Sequence, residues 1–173
     1  RTDRQNHRPV MPDSNLTRQL RILTSQLRKL TKVKTISSNQ LTSCLKDYYP
    51  VALKLFSKLD QKITLAFLKK FPTYEHSRKT SSKKWCSFLK EHRYPGVEKE
   101  AKKILNLLKE PQFNVEPFVV EAKSQYMLTL VQQLESLLPQ IDSLKNKIKE
   151  LLTQHPDSNI FTSLPGASAM LFQ

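Results

Sequence analysis

The side chains that could do chemistry are dispersed along this chain. Of its four histidines, the pattern predicts His7 in an extended N-terminal segment, His76 in a loop, His92 near a helix end and His155 at a helix C-terminus. None has a second His or a Cys four positions away, so we predict no zinc site. A simpler role for His155 is to complement the dipole at the end of its helix.

Carboxylates and serines form no catalytic pattern either. Close acidic pairs occur at Glu98/Glu100 and Glu116/Glu121, within patterns typical of helix surfaces, and they do not indicate a two-metal site. No serine has a His and an Asp arranged near it. The residues therefore predict no catalytic group, no metal ligand and no cofactor within this chain.

Glycine and cysteine usage excludes further classes of site. Gly96 and Gly166 are the 2 glycines among 173 residues, so neither a G-x-G-x-x-G turn nor a P-loop can be written. Cys44 and Cys86 lack C-x-x-C spacing, and we predict two reduced, partly buried thiols. The sequence has no signal-peptide pattern and no apolar run of about 18 residues. We expect a cytoplasmic protein with no membrane partner.

A turn close to the C-terminal end of the sequence stands apart. Leu164, Pro165 and Gly166 match the turn of a helix-hairpin-helix unit, in which backbone N–H groups contact a phosphate. Ser168 replaces the second glycine of such a unit. The alternative is a simple helix stop, and the turn alone leaves both interpretations open.

Charge indicates a polyanionic partner. The formal net charge is +14, and it is +7 over residues 1–49, +9 over 50–112 and −2 over 113–173. Basic surfaces on helical proteins attract nucleic acid through its phosphates. The predicted nucleic-acid contacts are basic residues of the N-terminal segment, of the first long helix and of the middle region: Arg4, Arg8, Arg18, Arg21, Arg28, Lys29, Lys32, Lys83, Lys84 and Arg93.

Heptad spacing defines the elements that must position these cations. From Leu16 to Tyr48, eight of ten heptad positions are apolar, and the two exceptions, Lys34 and Ser37, predict a weak or polar waist over 34–39. From Val120 to Leu151, nine of ten are apolar. We predict that the second stripe also joins protomers, through Leu130, Leu134, Leu137, Ile141, Leu144, Ile148 and Leu151.

The predicted fold is all-α, with two long heptad helices flanking a small bundle of short helices. The expected divisions are an extended basic linker (1–12), a long helix (13–49), a helical insert (50–112), a long coiled-coil helix (113–156) and a C-terminal turn with its tail (157–173). Within the insert we predict helices at 51–57, 61–70, 81–92 and 97–109. The long helices could pair within one chain or between chains.

A series of short motifs, in order, resembles a known family. They are Arg1-Thr-Asp-Arg4, His7-Arg-Pro9, Pro12-Asp-Ser14, Leu16-Thr-Arg18-Gln-Leu20-Arg21, Val51-Ala-Leu53, Leu55-Phe56, Phe71-Pro-Thr73, Val119-Val-Glu-Ala-Lys123, His155-Pro-Asp157 and Ile160-Phe-Thr-Ser-Leu-Pro-Gly166. Together they resemble the middle of bacterial insertion-sequence transposases, which have an N-terminal RuvC-like DEDD domain and a C-terminal domain with a serine nucleophile.

The resemblance implies a role in DNA recombination. It places the family's acidic metal ligands before this stretch and its serine, in a Ser-Gly context, after the Leu-Pro-Gly turn, so no catalytic residue is carried over. We expect a fragment of a transposase, with a divalent metal such as Mg²⁺ belonging to the full-length family. Implied partners are DNA, a structured guide RNA in some members and further copies of the chain, at the bacterial nucleoid.

A second class of function fits the same residues. A stand-alone helical protein that binds nucleic acid, or a coiled-coil scaffold without catalysis, would also combine heptad helices with a basic surface.

Overall fold

The computed structural model describes residues 14–112 and 114–155, and every regular element within them is an α-helix. The helices are α1 (Asn15–Tyr48), α2 (Ala52–Leu55), α3 (Lys62–Lys70), α4 (Tyr74–Arg78), α5 (Ser82–Glu91), α6 (Val97–Leu107) and α7 (Pro117–Thr153). The predicted all-α class, with two long helices and a set of short ones between them in sequence, is confirmed.

Local chemistry fixes both ends of α1. The Ser14 hydroxyl accepts a hydrogen bond from the Thr17 backbone N–H at 3.1 Å, which is the role of an N-cap residue. At the other end, Pro50 disfavours helical geometry at the residue before it, and α1 ends at Tyr48. Both signals are local features of the sequence.

The heptad seams of the two long helices face inward. All ten predicted seam positions of α1, from Leu16 to Tyr48, are buried or half-buried, and so are all ten of α7, from Val120 to Leu151. Each seam is therefore covered within the chain itself.

The predicted weak waist of α1 does not interrupt the helix. Ser37 is buried within the seam, and the Lys34 ammonium leaves the seam to donate a hydrogen bond to the Asp60 carboxylate at 2.8 Å. Both side chains of this ion pair are about three-quarters covered. The waist is polar, as expected, but its charge is compensated.

Replacing Asp60 by Asn is expected to lower the free energy of unfolding by about 1 kcal/mol at neutral pH, because the bond to Lys34 loses its charge assistance. The Lys34 ammonium holds the pKa of the Asp60 carboxyl below its ordinary value. Such a group contributes stability above its unfolded-state pKa and loses that contribution as the pH falls through its folded-state pKa. Urea unfolding should therefore show a D60N deficit that shrinks toward about pH 3. A deficit of constant size would contradict this origin.

The described residues form two compact units. The first unit consists of residues 14–31, nearly all of them in α1, and residues 140–155, most of them in the last part of α7. Its buried side chains are Leu23, Ile141 and Ile148. The Thr17 hydroxyl and His155 Nε2 lie 3.2 Å apart, so the first turn of α1 contacts the residue that follows α7 by two positions.

The second unit, residues 32–139, has an aromatic core. Phe67 is fully buried, with its ring centroid 5.3–6.1 Å from the centroids of Tyr49, Phe56, Phe71 and Trp85. Five aromatics of the insert are buried, so they form core and offer no face on which a base could stack: Phe56, Phe67, Phe71, Trp85 and Phe88.

The last turns of α1 lie against the first turns of α7 within the second unit. The Lys123 ammonium donates a hydrogen bond to the Asp47 carboxylate at 2.6 Å, and the Cys44 thiol donates to the Lys123 carbonyl at 3.4 Å. The two long helices therefore pair within one chain, which is one of the two arrangements that the sequence left open.

One helix of the insert was missed by the sequence prediction. His76 lies in α4 and not in a loop. The Thr73 hydroxyl caps this helix by accepting from the His76 N–H at 3.4 Å, and the Ser77 side chain is buried beneath it. A five-residue helix has no room for an apolar period, so only its cap could have signalled it. The other four helices of the insert are present, with bounds close to those predicted.

Candidate nucleic-acid interface

The outward face of α1 concentrates positive charge. With the leucine seam turned inward, Arg18, Arg21 and Arg28 occupy the opposite face of the helix, and all three are exposed. They lie in the first unit, and the helical rise places Arg18 and Arg28 about 15 Å apart along the axis. We call these three residues the arginine face.

Positive charge greatly outweighs negative charge along this helix. α1 contains seven Lys and Arg residues and one carboxylate, Asp47, which lies next to its last residue. On a helix surface, a Glu or Asp three or four positions from a Lys or Arg is its neighbour and can pair with it. Because the helix supplies so few carboxylates of its own, its positive field extends into solvent and attracts polyanions.

Two further predicted contacts lie on the same helix. Lys29 is exposed one position beyond Arg28, and Lys32 is exposed in the second unit. Neither has a carboxylate within ion-pair distance among residues 14–112 and 114–155. All five α1 residues that the sequence predicted as nucleic-acid contacts are therefore exposed to solvent: Arg18, Arg21, Arg28, Lys29 and Lys32.

The contacts predicted in the insert form a separate set within the second unit. Lys83 and Lys84 are exposed on α5, whose inner face buries Trp85, Phe88 and Leu89. Arg93 follows the end of that helix and is also exposed. No carboxylate of the described segments pairs with Lys83, Lys84 or Arg93.

Seven lysines pair with neighbouring carboxylates, which makes these lysines weaker candidates for binding phosphate. The ion pairs have nitrogen–oxygen distances of 2.6–3.9 Å. They are Lys34–Asp60, Lys54–Glu110, Lys69–Glu135, Lys70–Glu91, Lys79–Glu75, Lys103–Glu100 and Lys123–Asp47.

The leucine stripe predicted to join protomers is covered by the chain itself. Leu130 and Leu134 belong to the core of the second unit, and Ile141 and Ile148 are buried in the first. Leu137, Leu144 and Leu151 are half-buried. Self-association through this stripe stays a prediction, and it would require these side chains to exchange partners.

Five predicted contacts lie outside the described residues. They are Arg4 and Arg8 of the N-terminal segment and Leu164, Pro165 and Gly166 of the C-terminal turn.

Sequence reasoning missed a group of exposed apolar side chains. On α1, Ile22, Val33 and Ile36 are 46–59% exposed, and on α7 Phe118 and Tyr126 are 71% and 46% exposed. Each lies off the heptad seam, which is the signal that could have identified them. Single exposed apolar side chains are common on protein surfaces, and only a contiguous patch of them marks a site of contact.

A cleft of about 1010 Å³ opens in the second unit. Its walls hold Tyr48 and Tyr74, whose hydroxyls donate to the Pro72 carbonyl at 2.9 Å and the Leu108 carbonyl at 2.7 Å. Its lining includes three carboxylates and two cations, so it presents no uniform positive surface to a phosphate.

The thiol of Cys44 is not a reactive nucleophile. Cys44 and Cys86 are both unpaired, as predicted, with Cys44 buried and Cys86 half-buried. Burial raises the pKa of the Cys44 thiol, and a protonated thiol is a poor nucleophile.

Residues 14–112 and 114–155 contain neither a metal-binding cluster nor a membrane-spanning helix. No three His, Cys, Asp or Glu side chains converge there in a way that could hold a metal ion. No helix in those ranges combines the length and apolarity that crossing a membrane requires.

Comparison with known proteins relates the chain to a transposase. It is 27% identical over 176 residues to a Streptomyces coelicolor protein described as "Mini-circle putative transposase for IS117". The alignment covers 99% of this chain and 42% of that relative, so the chain spans less than half of the relative's length. No family model matches the chain, and no solved structure matches it. Similarity over the whole chain supports a transposase relationship.

Proposed function

We propose that this chain is the helical, nucleic-acid-binding part of an insertion-sequence transposase. The arginine face carries the proposal, because it sets three exposed cations on one side of a helix that has seven basic residues and one carboxylate. The transposase relationship favours DNA as the polyanion that this face binds. Structured RNA, with its own row of phosphates, is the second ligand that this surface fits.

Binding by this surface works through phosphates. Arginine guanidinium groups form charge-assisted and often bidentate hydrogen bonds to phosphate oxygens. Such contacts fix the position of a nucleic acid on the protein and carry no sequence information of their own. In this proposal the chain holds the nucleic acid, while target choice and strand chemistry belong to other parts of a longer protein.

The catalytic parts of that longer protein are assigned by resemblance alone. We propose a RuvC-like DEDD domain before this stretch and a serine transposase domain after it, acting at the nucleoid. The divalent metal that the resemblance implies finds no matching donor set in the described part of this chain. No step of the proposal therefore passes through a metal held by these residues.

Assembly into oligomers is part of the same proposal. The exposed apolar residues of α1 and α7 are side chains that a second copy could contact while the leucine seams stay covered within each chain. The competing function, a stand-alone scaffold, predicts self-association without affinity for nucleic acid.

The test is a fluorescence anisotropy titration of the chain into duplex DNA and structured RNA. We expect binding to both at about 50 mM salt, with affinity that falls steeply toward about 200 mM. Circular dichroism shows whether the chain is helical under those conditions. A folded, helical chain that binds neither ligand at the lowest salt would leave only the scaffold.

A further inference from the structure

The turn between α5 and α6 holds two residues in left-handed backbone conformation. Gly96, at the N-cap of α6, has φ +66°. Arg93, three residues earlier, has φ +52°, and among the described residues it is the one non-glycine residue with positive φ. A side chain with a Cβ atom is disfavoured in this region, so glycine is the residue expected at both positions.

Arg93 occupies a helix-ending position at which glycine is common. The Tyr94 N–H donates to the Leu89 carbonyl at 2.9 Å, and the Arg93 N–H donates to the Lys90 carbonyl at 3.0 Å. This pair of bonds is the Schellman motif, whose left-handed residue is usually glycine. The motif depends on the backbone of residue 93 and needs nothing from its side chain.

Within the folded chain, the Arg93 side chain has little that would offset the energetic cost of its left-handed backbone. The side chain is exposed, and no carboxylate of the described segments lies within ion-pair distance of it. Its remaining internal role would be to complement the dipole at the end of α5, where Lys90 already lies in the last turn.

We propose that Arg93 is a phosphate contact, and that its role in binding accounts for an arginine at this strained position. This inference rests on the proposed function, and it names a second contact point, in the second unit, separate from the arginine face. The ligand is the phosphate backbone of a nucleic acid. Lys83 and Lys84, exposed on α5, belong to the same basic set of the second unit.

Replacing Arg93 by Gly should change stability and binding in opposite directions. Relief of the left-handed strain is expected to raise Tm by about 3 °C. Loss of one arginine–phosphate contact is expected to weaken duplex binding about tenfold at low salt and to reduce the salt slope by about 0.9. Arg93→Lys keeps the strain and the charge but loses the guanidinium fork, so its affinity should lie between the two, at the Tm of the wild type.

Lys62→Ala is the matched control for the loss of one charge. Lys62 is exposed at the first residue of α3, and no carboxylate in the described ranges pairs with it. If overall charge alone governs binding, Lys62→Ala and Arg93→Gly will weaken it equally, which overturns the proposal. We expect Lys62→Ala to retain affinity within about twofold of the wild type.

The remaining outcomes are also decisive. A lower Tm for Arg93→Ala, which keeps a Cβ atom in the left-handed region and removes the rest of the side chain, would show that the side chain stabilises the fold, which overturns the proposal. Unchanged affinity of Arg93→Gly, with a wild type that binds, would overturn the role of Arg93 and leave the proposed function intact. If the wild type binds neither duplex DNA nor structured RNA, both the role of Arg93 and the proposed function are overturned.

Discussion

Replacing Arg18, Arg21 and Arg28 together by alanine is expected to weaken duplex binding about 100-fold at low salt. Each arginine is exposed on the same side of α1, so each can meet a phosphate while the leucine seam stays packed. Alanine is the best helix former, and the helix should persist. Circular dichroism and anisotropy titration of the same samples measure both quantities.

A second triple variant separates placement from net charge. Lys54, Lys69 and Lys103 each pair with a carboxylate, and their side chains are 50–60% exposed. Replacing these three by alanine changes the net charge by the same amount, and exposed ion pairs contribute little to stability. We expect this control to bind within a few-fold of the wild type. Equal losses in the two triple variants would show that binding follows total charge and not the arginine face.

Replacing Phe67 by Ala is expected to lower the free energy of unfolding by about 3–5 kcal/mol, several times the loss expected for Asp60→Asn. Phe67 has no exposed surface and its ring contacts four other aromatic rings, so truncation leaves a cavity at the centre of the second unit. Urea unfolding followed by circular dichroism measures the loss.

Phe67→Leu is the matched control for this cavity. It keeps most of the buried volume and should cost less than half as much as alanine. A loss below about 1 kcal/mol for Phe67→Ala would contradict the central position of this ring.

The long helices could be predicted because their heptad period is a local property of the sequence. Apolar seam positions repeat from Val120 to Leu151 with one exception, Lys123. The cap at Ser14 and the stop at Pro50 are chemical signals at known offsets. Pairing within one chain depends on contacts such as Lys123–Asp47, which lie 76 residues apart, and the heptad pattern is the same for either pairing.

The candidate site could be predicted only in part. Exposure of Arg18, Arg21 and Arg28 follows from their position off the leucine seam. Sequence spacing does not reveal which other cations are neutralised by carboxylates. Lys54 pairs with Glu110, 56 residues away, and Lys34 pairs with Asp60, 26 residues away. The left-handed backbone at Arg93 was also beyond reach, since a non-glycine residue at a Schellman position has no sequence signature.

The salt dependence of duplex binding tests the central claim most directly, because its slope counts the phosphates that the protein neutralises. Anisotropy titrations of the wild type and of the triple Arg18, Arg21 and Arg28 variant, between about 50 and 200 mM salt, give the two slopes. If each arginine meets one phosphate, the variant's slope should be shallower by about 2 to 3. Equal slopes, in two chains that circular dichroism shows to be equally helical, would contradict the assignment of the arginine face as the nucleic-acid interface.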